Sequence, residues 1–169
     1  VATLELKNAM SATGWTVENA KSQYRFERDP KDPLFAFKNR CLVHFAVDTE
    51  QVFMTTHLEG KSTFFLPFNR GDHGGAGNPA DGSGHPTAYL WKEIWQRDSW
   101  LEILGRYMIA KRNTKKQISG VIFPRYHQLD ATRKLVSTVL EEGPGQKYLI
   151  QHSAGSGKTN SIAWSAHFL

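Results

Sequence analysis

The sequence predicts an α/β fold, because apolar strand-like runs alternate with segments of helical periodicity. Residues 41–47 form a continuous apolar run typical of a strand buried on both faces, and residues 52–56 supply its return strand. Helices are predicted over 17–28 and from about 129 to 142. Near the C-terminus, an apolar run at 148–150 leads into a Gly- and Ser-rich loop and then a helical segment.

The composition is that of an ordinary globular protein. The chain has 169 residues, of which 40% are hydrophobic and 22% are charged, and no apolar run is long enough to span a membrane. The net charge of +5 mildly favours a polyanionic partner. The single cysteine, Cys41, agrees with a reducing cytosol. Since no initiator Met is present and both ends cut through predicted elements, we expect an internal fragment of a longer protein.

Residues 151–159, Gln-His-Ser-Ala-Gly-Ser-Gly-Lys-Thr, have the composition of a phosphate-binding loop. Small residues let successive backbone N–H groups point into one concavity, and the following helix adds the positive end of its dipole. Lys158 would reach the β- and γ-phosphates of ATP, and the Thr159 hydroxyl would ligate Mg²⁺. The alternative is a Gly/Ser turn that happens to contain a lysine. The predicted ATP-binding residues of the loop are Ser153, Ala154, Gly155, Ser156, Gly157, Lys158 and Thr159.

The strict Walker pattern has Gly where this chain has His152. That departure suits superfamily 2 helicases, whose loop often lacks the first Gly. Upstream, Gln128 lies at the start of the second predicted helix, and its amide can both donate to and accept from an adenine edge. Tyr126 or Arg125 would stack on the base. The alternative for Gln128 is an ordinary helix-start residue.

Alternation over residues 1–7 predicts a strand with Thr3, Glu5 and Lys7 on one face and the even-numbered residues on a buried face. A Glu-x-Lys pair is half of a metal-dependent nuclease site, in which the carboxylate holds Mg²⁺ and the ammonium orients water or stabilises phosphate charge. A surface strand carrying a salt-bridged pair has the same sequence, so both interpretations stay open.

The helix predicted over 17–28 has Thr16 as its N-cap. Its basic stripe, Lys21, Arg25 and Arg28, either holds a DNA backbone or is a solvated face. In the strand at 41–47, His44 is expected to be a core histidine, because no histidine of the chain has metal-site spacing with another His or with Cys41.

Further helices are predicted over 89–95 and from Ser99, which begins a capping box, to about 108. The Gly-rich segment 71–86 contains a formal dinucleotide-binding match that Pro79 excludes, and it is either an ordered loop that contacts a partner or a mobile one. Residues 111–116 form a basic stretch, predicted as a domain junction and a possible DNA contact.

Six segments together resemble the R (restriction) subunit of type I restriction enzymes, and the resemblance covers essentially the whole chain. They are residues 4–8, 23–25, 41–48, 88–91, 123–130 and 151–158. The resemblance implies an α/β chain with a RecB-like, PD-(D/E)xK nuclease core fragment and a mixed sheet, followed by the first βα unit of a P-loop RecA-like motor domain. The implied domains are 1–70, the C-terminal part of the nuclease; 71–118, a loop, helices and basic linker; and 119–169, the start of the ATP-binding motor.

The resemblance also implies roles for single residues. Glu5 would bind the nuclease Mg²⁺, with the backbone carbonyl of Leu6 as a further ligand, and Lys7 would assist the attack of water. Tyr24 matches the tyrosine of a Gln-x-x-x-Tyr motif in which Ala20 replaces the glutamine, so neighbouring Gln23 is an alternative contributor. The family's metal-binding Asp, which lies upstream of this strand, is absent from the sequence.

The implied activity is that of an ATP-dependent, type I site-specific deoxyribonuclease subunit that translocates and cleaves double-stranded DNA. Its cofactors would be Mg²⁺ and ATP, and its partners the modification (methyltransferase) and specificity subunits, in the prokaryotic cytoplasm and without a membrane. The isolated fragment is expected to be inactive, since the downstream motor motifs are missing. One alternative is a superfamily 2 helicase fragment with a non-catalytic N-terminal domain; another is a binding module that does not respond to nucleotide.

Overall fold

A mixed sheet of four strands organises the first part of the chain in the computed structural model, which describes residues 2–8, 10–80, 82 and 84–169. The strands are β1 (Ala2–Leu6), β2 (Val43–Val47), β3 (Val52–Thr55) and β4 (Leu66–Pro67), in this spatial order. β1 pairs with β2 in parallel, and the other two pairs are antiparallel. The α/β class is therefore confirmed. Pro67 lies in the edge strand β4, a position at which the missing N–H of proline is tolerated.

Helix α1 (Val17–Phe26) connects the two parallel strands. Its start is set by Thr16, whose amide donates to Asn19 Oδ1 at 2.9 Å, and by the Val17 amide, which donates to the buried Asp48 Oδ2 at 2.7 Å. The predicted N-cap is confirmed, whereas the helix ends two residues before the predicted end at 28.

Strand β2 is buried on both faces, as its continuous apolar run predicts. Ala46 faces α1 and belongs to a cluster with Val17, Ala20, Tyr24, Leu58 and Phe65. Phe45 faces the opposite side, where its ring lies 5.6 Å from that of Phe68 and 5.5 Å from that of Trp95. Fully burying a side chain of this size stabilises the fold by about 1.5–3 kcal/mol, so the two clusters hold the sheet from both sides.

The second half of this part is helical and then forms a hairpin. Two π-helical segments, π1 (Leu90–Ile94) and π2 (Ile103–Tyr107), flank the short helix α2 (Arg97–Glu102). The helix opens after Gln96 and not at the predicted Ser99, because Gln96 is the residue in extended conformation and its carbonyl already accepts from the Trp100 amide at 2.8 Å.

Residues 111–116 are not a linker, which corrects the predicted domain junction. They belong to a hairpin of β5 (Ile109–Arg112) and β6 (Ile118–Ile122), with a register shift beside Lys111. The chain divides into two compact units after Phe123, so the hairpin lies within the first unit. Hydrogen bonds between the two strands across a tight turn fix the structure of this segment, and its polar composition alone did not predict a hairpin.

The described part of the Gly-rich segment 71–86 is tied to its surroundings by Asn78. The Asn78 amide nitrogen donates to Glu50 O at 2.8 Å and to Asn69 Oδ1 at 3.0 Å, and its oxygen accepts from the Arg70 amide. Of the two interpretations left open by the sequence, these bonds favour an ordered loop.

The second unit, Pro124–Leu169, contains two helices, α3 (Tyr126–Glu142) and α4 (Lys158–Phe168). Helix α3 ends at Gly143, whose φ of 78° is a left-handed conformation that glycine adopts without strain. The strand predicted at 148–150 is not formed, and Leu149 is 92% exposed. A strand needs a neighbour to complete its hydrogen bonds, and no described segment of this unit is a strand.

Candidate functional site

Glu5 lies on the covered face of β1 and is held by an arginine. Arg28 donates through both Nε and Nη2 to Glu5 Oε1, at 2.7 Å each, and this bond raises the pKa of Arg28. The Glu5 side chain is only 15% exposed. The alternation predicted for β1 is therefore present, but the polar face is the covered one. Leu4 and Leu6 are 41% and 61% exposed, which corrects the predicted buried face.

Lys7 continues the same face but has different neighbours. Its side chain is buried, and its ammonium lies 4.5 Å from the centre of the Trp15 ring. It borders a cavity of about 270 Å³ that Asp48, Thr49 and Trp91 also line. Since water occupies about 30 Å³ per molecule, this cavity has room for several waters or a phosphate group.

Tyr24 is fully buried behind Glu5 and shares a polar network with Thr3 and His44. Thr3 Oγ1 lies 2.9 Å from Tyr24 Oη and 2.7 Å from His44 Nδ1. Burial raises the pKa of Tyr24, and burial also lowers the pKa of His44 to about 4. His44 is therefore a core histidine with a hydrogen-bond partner, as predicted, and Tyr24 stays protonated in this environment. Neither Thr3 nor His44 was singled out from the sequence as a partner of Tyr24.

Gln23, the alternative to Tyr24, points elsewhere. Its amide nitrogen donates to Glu27 Oε2 at 3.3 Å along the same helix, while its oxygen is buried without a partner among the described residues. No hydrogen bond therefore joins Gln23 to Glu5 among the described residues, whereas the Tyr24 hydroxyl contacts Thr3 of β1.

The basic stripe on α1 is turned towards the sheet. Lys21 Nζ lies 3.2 Å from the centre of the Phe53 ring and 2.6 Å from Glu18 Oε1, and Arg25 Nε donates to the Thr63 carbonyl at 3.2 Å. Arg28 binds Glu5, as described above. The stripe is neither a solvated face nor a free DNA-binding face, because its cations pair with groups of the same unit.

The described residues supply an incomplete set of ligands for a metal at β1. Among them, no group of three or more His, Cys, Asp or Glu side chains could hold a metal ion. Glu5 Oε2 and the Leu6 carbonyl are the groups that the prediction assigned. Magnesium often retains several waters and uses one or two carboxylates. The Glu5 carboxylate and the Leu6 carbonyl are therefore suitable for part of its coordination shell.

In the second unit, the loop before α4 is the predicted phosphate-binding loop, and two of its glycines have left-handed backbone conformations. Gly155 and Gly157 have φ values of 72° and 80°, and α4 begins at Lys158, so the amides of its first turn have no carbonyl one turn earlier in the helix. Ser156 Oγ is buried and has no partner among the described residues. An anion placed against this turn would receive these donors, so the loop fits the phosphates of ATP.

Lys158 and Thr159 are exposed at the start of α4. The Lys158 ammonium donates to the carbonyls of His152 and Ser153, at 3.1 and 2.9 Å, so it folds back over the loop. A phosphate group would take over these bonds as a charge-assisted partner. Thr159, the predicted magnesium ligand of this site, is on the same exposed helix end.

Gln128 and Arg125 both contact the predicted phosphate loop directly. The Gln128 amide nitrogen donates to the carbonyls of Ser156 and Gly157, at 3.2 and 2.9 Å, and its oxygen accepts from the Arg125 amide at 2.9 Å. Arg125 Nη2 donates to the Gly155 carbonyl at 2.9 Å. Gln128 is buried, and so is Tyr126, which therefore offers little ring surface for stacking.

Two histidines that the sequence did not mark as contacts also join this site. His127 Nε2 donates to the Ser156 carbonyl at 3.0 Å, and its ring meets the His152 ring edge-on at 4.8 Å between centroids. Burial lowers the pKa of His127, which favours the neutral ring that keeps one N–H. The sequence offered one sign of the contact between the two histidine rings: His152 stands where the strict Walker pattern has Gly.

Compared with models of known protein families, with curated proteins and with solved structures, the chain matches none of them. Across the described residues, no helix combines the length and the apolar character of a membrane span.

Proposed function

We propose that the chain is part of an ATP-dependent type I site-specific deoxyribonuclease subunit that translocates and cleaves double-stranded DNA. The observation that carries this proposal is the direct bond between Gln128 and the Gly157 carbonyl, which joins the candidate adenine-selecting group to the candidate phosphate loop. A simple Gly/Ser turn has no need of such a buried glutamine. The proposed nuclease activity rests on the resemblance of the six sequence segments to the R subunit.

In the ATP site, the protein binds and orients the nucleotide. Backbone amides around Gly157 and the Lys158 ammonium would receive the β- and γ-phosphates, and Thr159 would hold the accompanying Mg²⁺. Gln128 would exchange one of its bonds to the loop for the adenine edge, so that nucleotide occupancy changes how α3 is attached to the loop. Of the two predicted stacking residues, Arg125 would contact the base, because Tyr126 is buried.

In the nuclease site, Glu5 Oε2 and the Leu6 carbonyl would hold Mg²⁺, which supplies a Lewis acid next to the phosphate. Lys7 then has two suitable properties. Its ammonium borders a cavity that has room for a phosphate group, and Trp15 keeps it in place without neutralising it. Lys7 would orient the attacking water or stabilise the phosphate charge, and Tyr24 would support the strand through Thr3.

The finer assignments belong to the same proposal. Residues 1–70 would form the end of a RecB-like nuclease domain. The start of a RecA-like motor domain, expected at 119, would shift to Pro124, since the chain divides after Phe123. The complete subunit would work in the prokaryotic cytoplasm with the modification and specificity subunits.

One observation favours the alternative, a superfamily 2 helicase or ATPase fragment with a non-catalytic N-terminal domain. Two nitrogens of the Arg28 guanidinium, Nε and Nη2, donate to Glu5 Oε1, as in a structural salt bridge. In that case Glu5 would stabilise the contact between β1 and α1 and would bind no metal. ATP binding would then be unchanged, so the two proposals differ in cleavage alone.

The test compares two substitutions in the complete subunit, assembled with its partner subunits. Lys158→Ala should abolish ATP hydrolysis and keep assembly, while Lys7→Ala should abolish DNA cleavage and keep ATP hydrolysis. Lys134→Ala, which removes an exposed lysine of α3 paired with Asp130 at 2.8 Å, is the control and should change neither activity. Full cleavage by the Lys7→Ala protein would support the non-catalytic alternative, and equal loss of both activities would contradict a two-site protein.

A further inference from the structure

The β5–β6 hairpin carries a concentration of positive charge without acidic neighbours in the sequence. From Ile103 to Leu129 the chain has no Asp or Glu. Within that stretch, Lys111, Arg112, Lys115 and Lys116 are all exposed. None of the four is in an ion pair within the described part of the chain.

The hairpin is an ordered element that is attached to the first unit. Lys38 Nζ donates to the Ile118 carbonyl at 2.7 Å, and Thr56 Oγ1 donates to the Val121 carbonyl at 2.9 Å. At the tip, Asn113 Oδ1 accepts from the amides of Lys115 and Gln117, at 3.0 Å each. The backbone positions that carry the four cations are therefore fixed, so the hairpin itself loses little conformational entropy when a partner binds.

Lys116 has a backbone conformation that disfavours lysine. Its φ is 60°, in the left-handed region where Gly or Asn is the usual residue. A glycine would hold the same turn with less strain. The presence of an exposed lysine at this position points to a role for its charge, because a strained conformation at an exposed site otherwise brings no benefit to the fold.

We infer that this hairpin binds the phosphate backbone of double-stranded DNA. Lys111 and Arg112 lie on β5 beside its register shift, and Arg112 Nη1 donates to the Lys116 carbonyl at 2.9 Å, so this guanidinium lies against the tip that also carries Lys115 and Lys116. A two-stranded ribbon fits the major groove, which is about 12 Å wide and has a phosphate backbone on either side.

The binding is independent of DNA sequence. Two side chains that could read base edges are engaged in the turn: Asn113 Oδ1 accepts two turn amides, and Arg112 Nη1 donates to the Lys116 carbonyl at 2.9 Å. The remaining groups are mainly lysine and arginine side chains, which contact phosphates through charge. The hairpin thus holds the duplex in position for the nuclease site of the same unit, and in this respect the inference rests on the proposed function.

The experiment measures the affinity of the 169-residue chain for a fluorescent duplex by anisotropy, as a function of salt concentration, without Mg²⁺ or ATP. Lys115→Gln/Lys116→Gln should weaken binding to every duplex sequence and should reduce the slope of log K against log salt by about 2, roughly one for each lost phosphate contact. Lys31→Gln/Lys134→Gln makes the same change in net charge elsewhere and should leave the slope unchanged.

Lys116→Gly separates charge from folding. This substitution removes the strained side chain, so the melting temperature should stay the same or rise, while the salt slope should fall by about 1. Equal slopes for the hairpin and control double variants would overturn the inference, because net charge alone would then explain binding. It would also be overturned if the hairpin variants bound the duplex as tightly as the unmodified chain. Because catalysis is not measured, failure of the nuclease proposal leaves these results unaffected.

Discussion

The Gln128 side-chain amide occupies the space in which a side chain at residue 157 would lie. Its nitrogen donates to the Gly157 carbonyl at 2.9 Å, and a Cβ added to Gly157 would overlap that same nitrogen. The glycine is therefore required for two reasons: its φ of 80° and the close approach of α3.

Gly157→Ala should destabilise the second unit and abolish ATP binding, because the methyl group would displace Gln128 from the loop. Gly14→Ala in the first unit is the control, since Gly14 also has a positive φ, 58°, and no heavy atom within 4 Å of its added Cβ. We expect about 1 kcal/mol of lost stability for Gly14→Ala, from the backbone conformation alone, and clearly more for Gly157→Ala. Thermal unfolding with and without ATP measures both effects, and equal losses would show that the contact with Gln128 is unimportant.

Gln128→Glu should weaken the attachment of α3 to the phosphate loop without changing side-chain size. The new carboxylate would face the carbonyls of Ser156 and Gly157, which accept hydrogen bonds and cannot donate them. Leaving buried polar groups unpaired destabilises a protein by about 1–3 kcal/mol. Denaturant unfolding should show a loss in this range, together with weaker ATP binding by calorimetry. Unchanged stability with weaker ATP binding would indicate that Gln128 acts on the nucleotide alone.

The pair Glu5 and Arg28 can be tested by a double-mutant cycle. Because both groups are partly exposed, Glu5→Gln and Arg28→Met should each destabilise the first unit by about 1 kcal/mol, and the double variant should lose less than the sum. Chemical denaturation provides the four values. A coupling energy near zero would show that the salt bridge contributes nothing to the fold, which would leave Glu5 available for a metal.

Tyr24→Phe should separate a structural from a catalytic role. The substitution keeps the buried ring and removes the hydroxyl that bonds to Thr3 Oγ1 at 2.9 Å, so we expect a loss of about 1 kcal/mol. If Tyr24 only supports β1, DNA cleavage by the complete subunit should persist at temperatures well below its melting point. Loss of cleavage in a protein of normal stability would instead assign the hydroxyl a direct role.

The stability of the first unit should decrease in mild acid because of His44. Its pKa is lowered from 6.5 to about 4 by burial, so the folded state disfavours the protonated ring. The contribution is fully present above pH 6.5 and is lost as the pH falls from there towards 4, by up to about 3 kcal/mol. His44→Asn retains an acceptor for Thr3 but does not titrate, and its stability profile should be flatter by this amount. Parallel profiles for the two proteins would contradict the assignment.

The sequence by itself determined the local structure of much of the chain. Continuous apolar residues predicted the strand now seen as β2, Thr16 marked the start of α1, and the Gly- and Ser-rich loop was expected to lead into the helix now seen as α4. These features depend on neighbours within a few residues, through side-chain periodicity and allowed backbone angles, so they can be predicted without knowing the fold.

Only the tertiary structure decided what covers each face and which distant groups pair. The alternation in β1 was visible in the sequence, but packing against α1 made its polar face the covered one and brought Arg28 to Glu5. The composition of residues 111–116 predicted a linker, but the structure pairs β5 with β6 there. Residues 148–150 have a strand-like pattern, yet no described strand pairs with them. Such outcomes depend on contacts between residues far apart in the chain, which local composition does not specify.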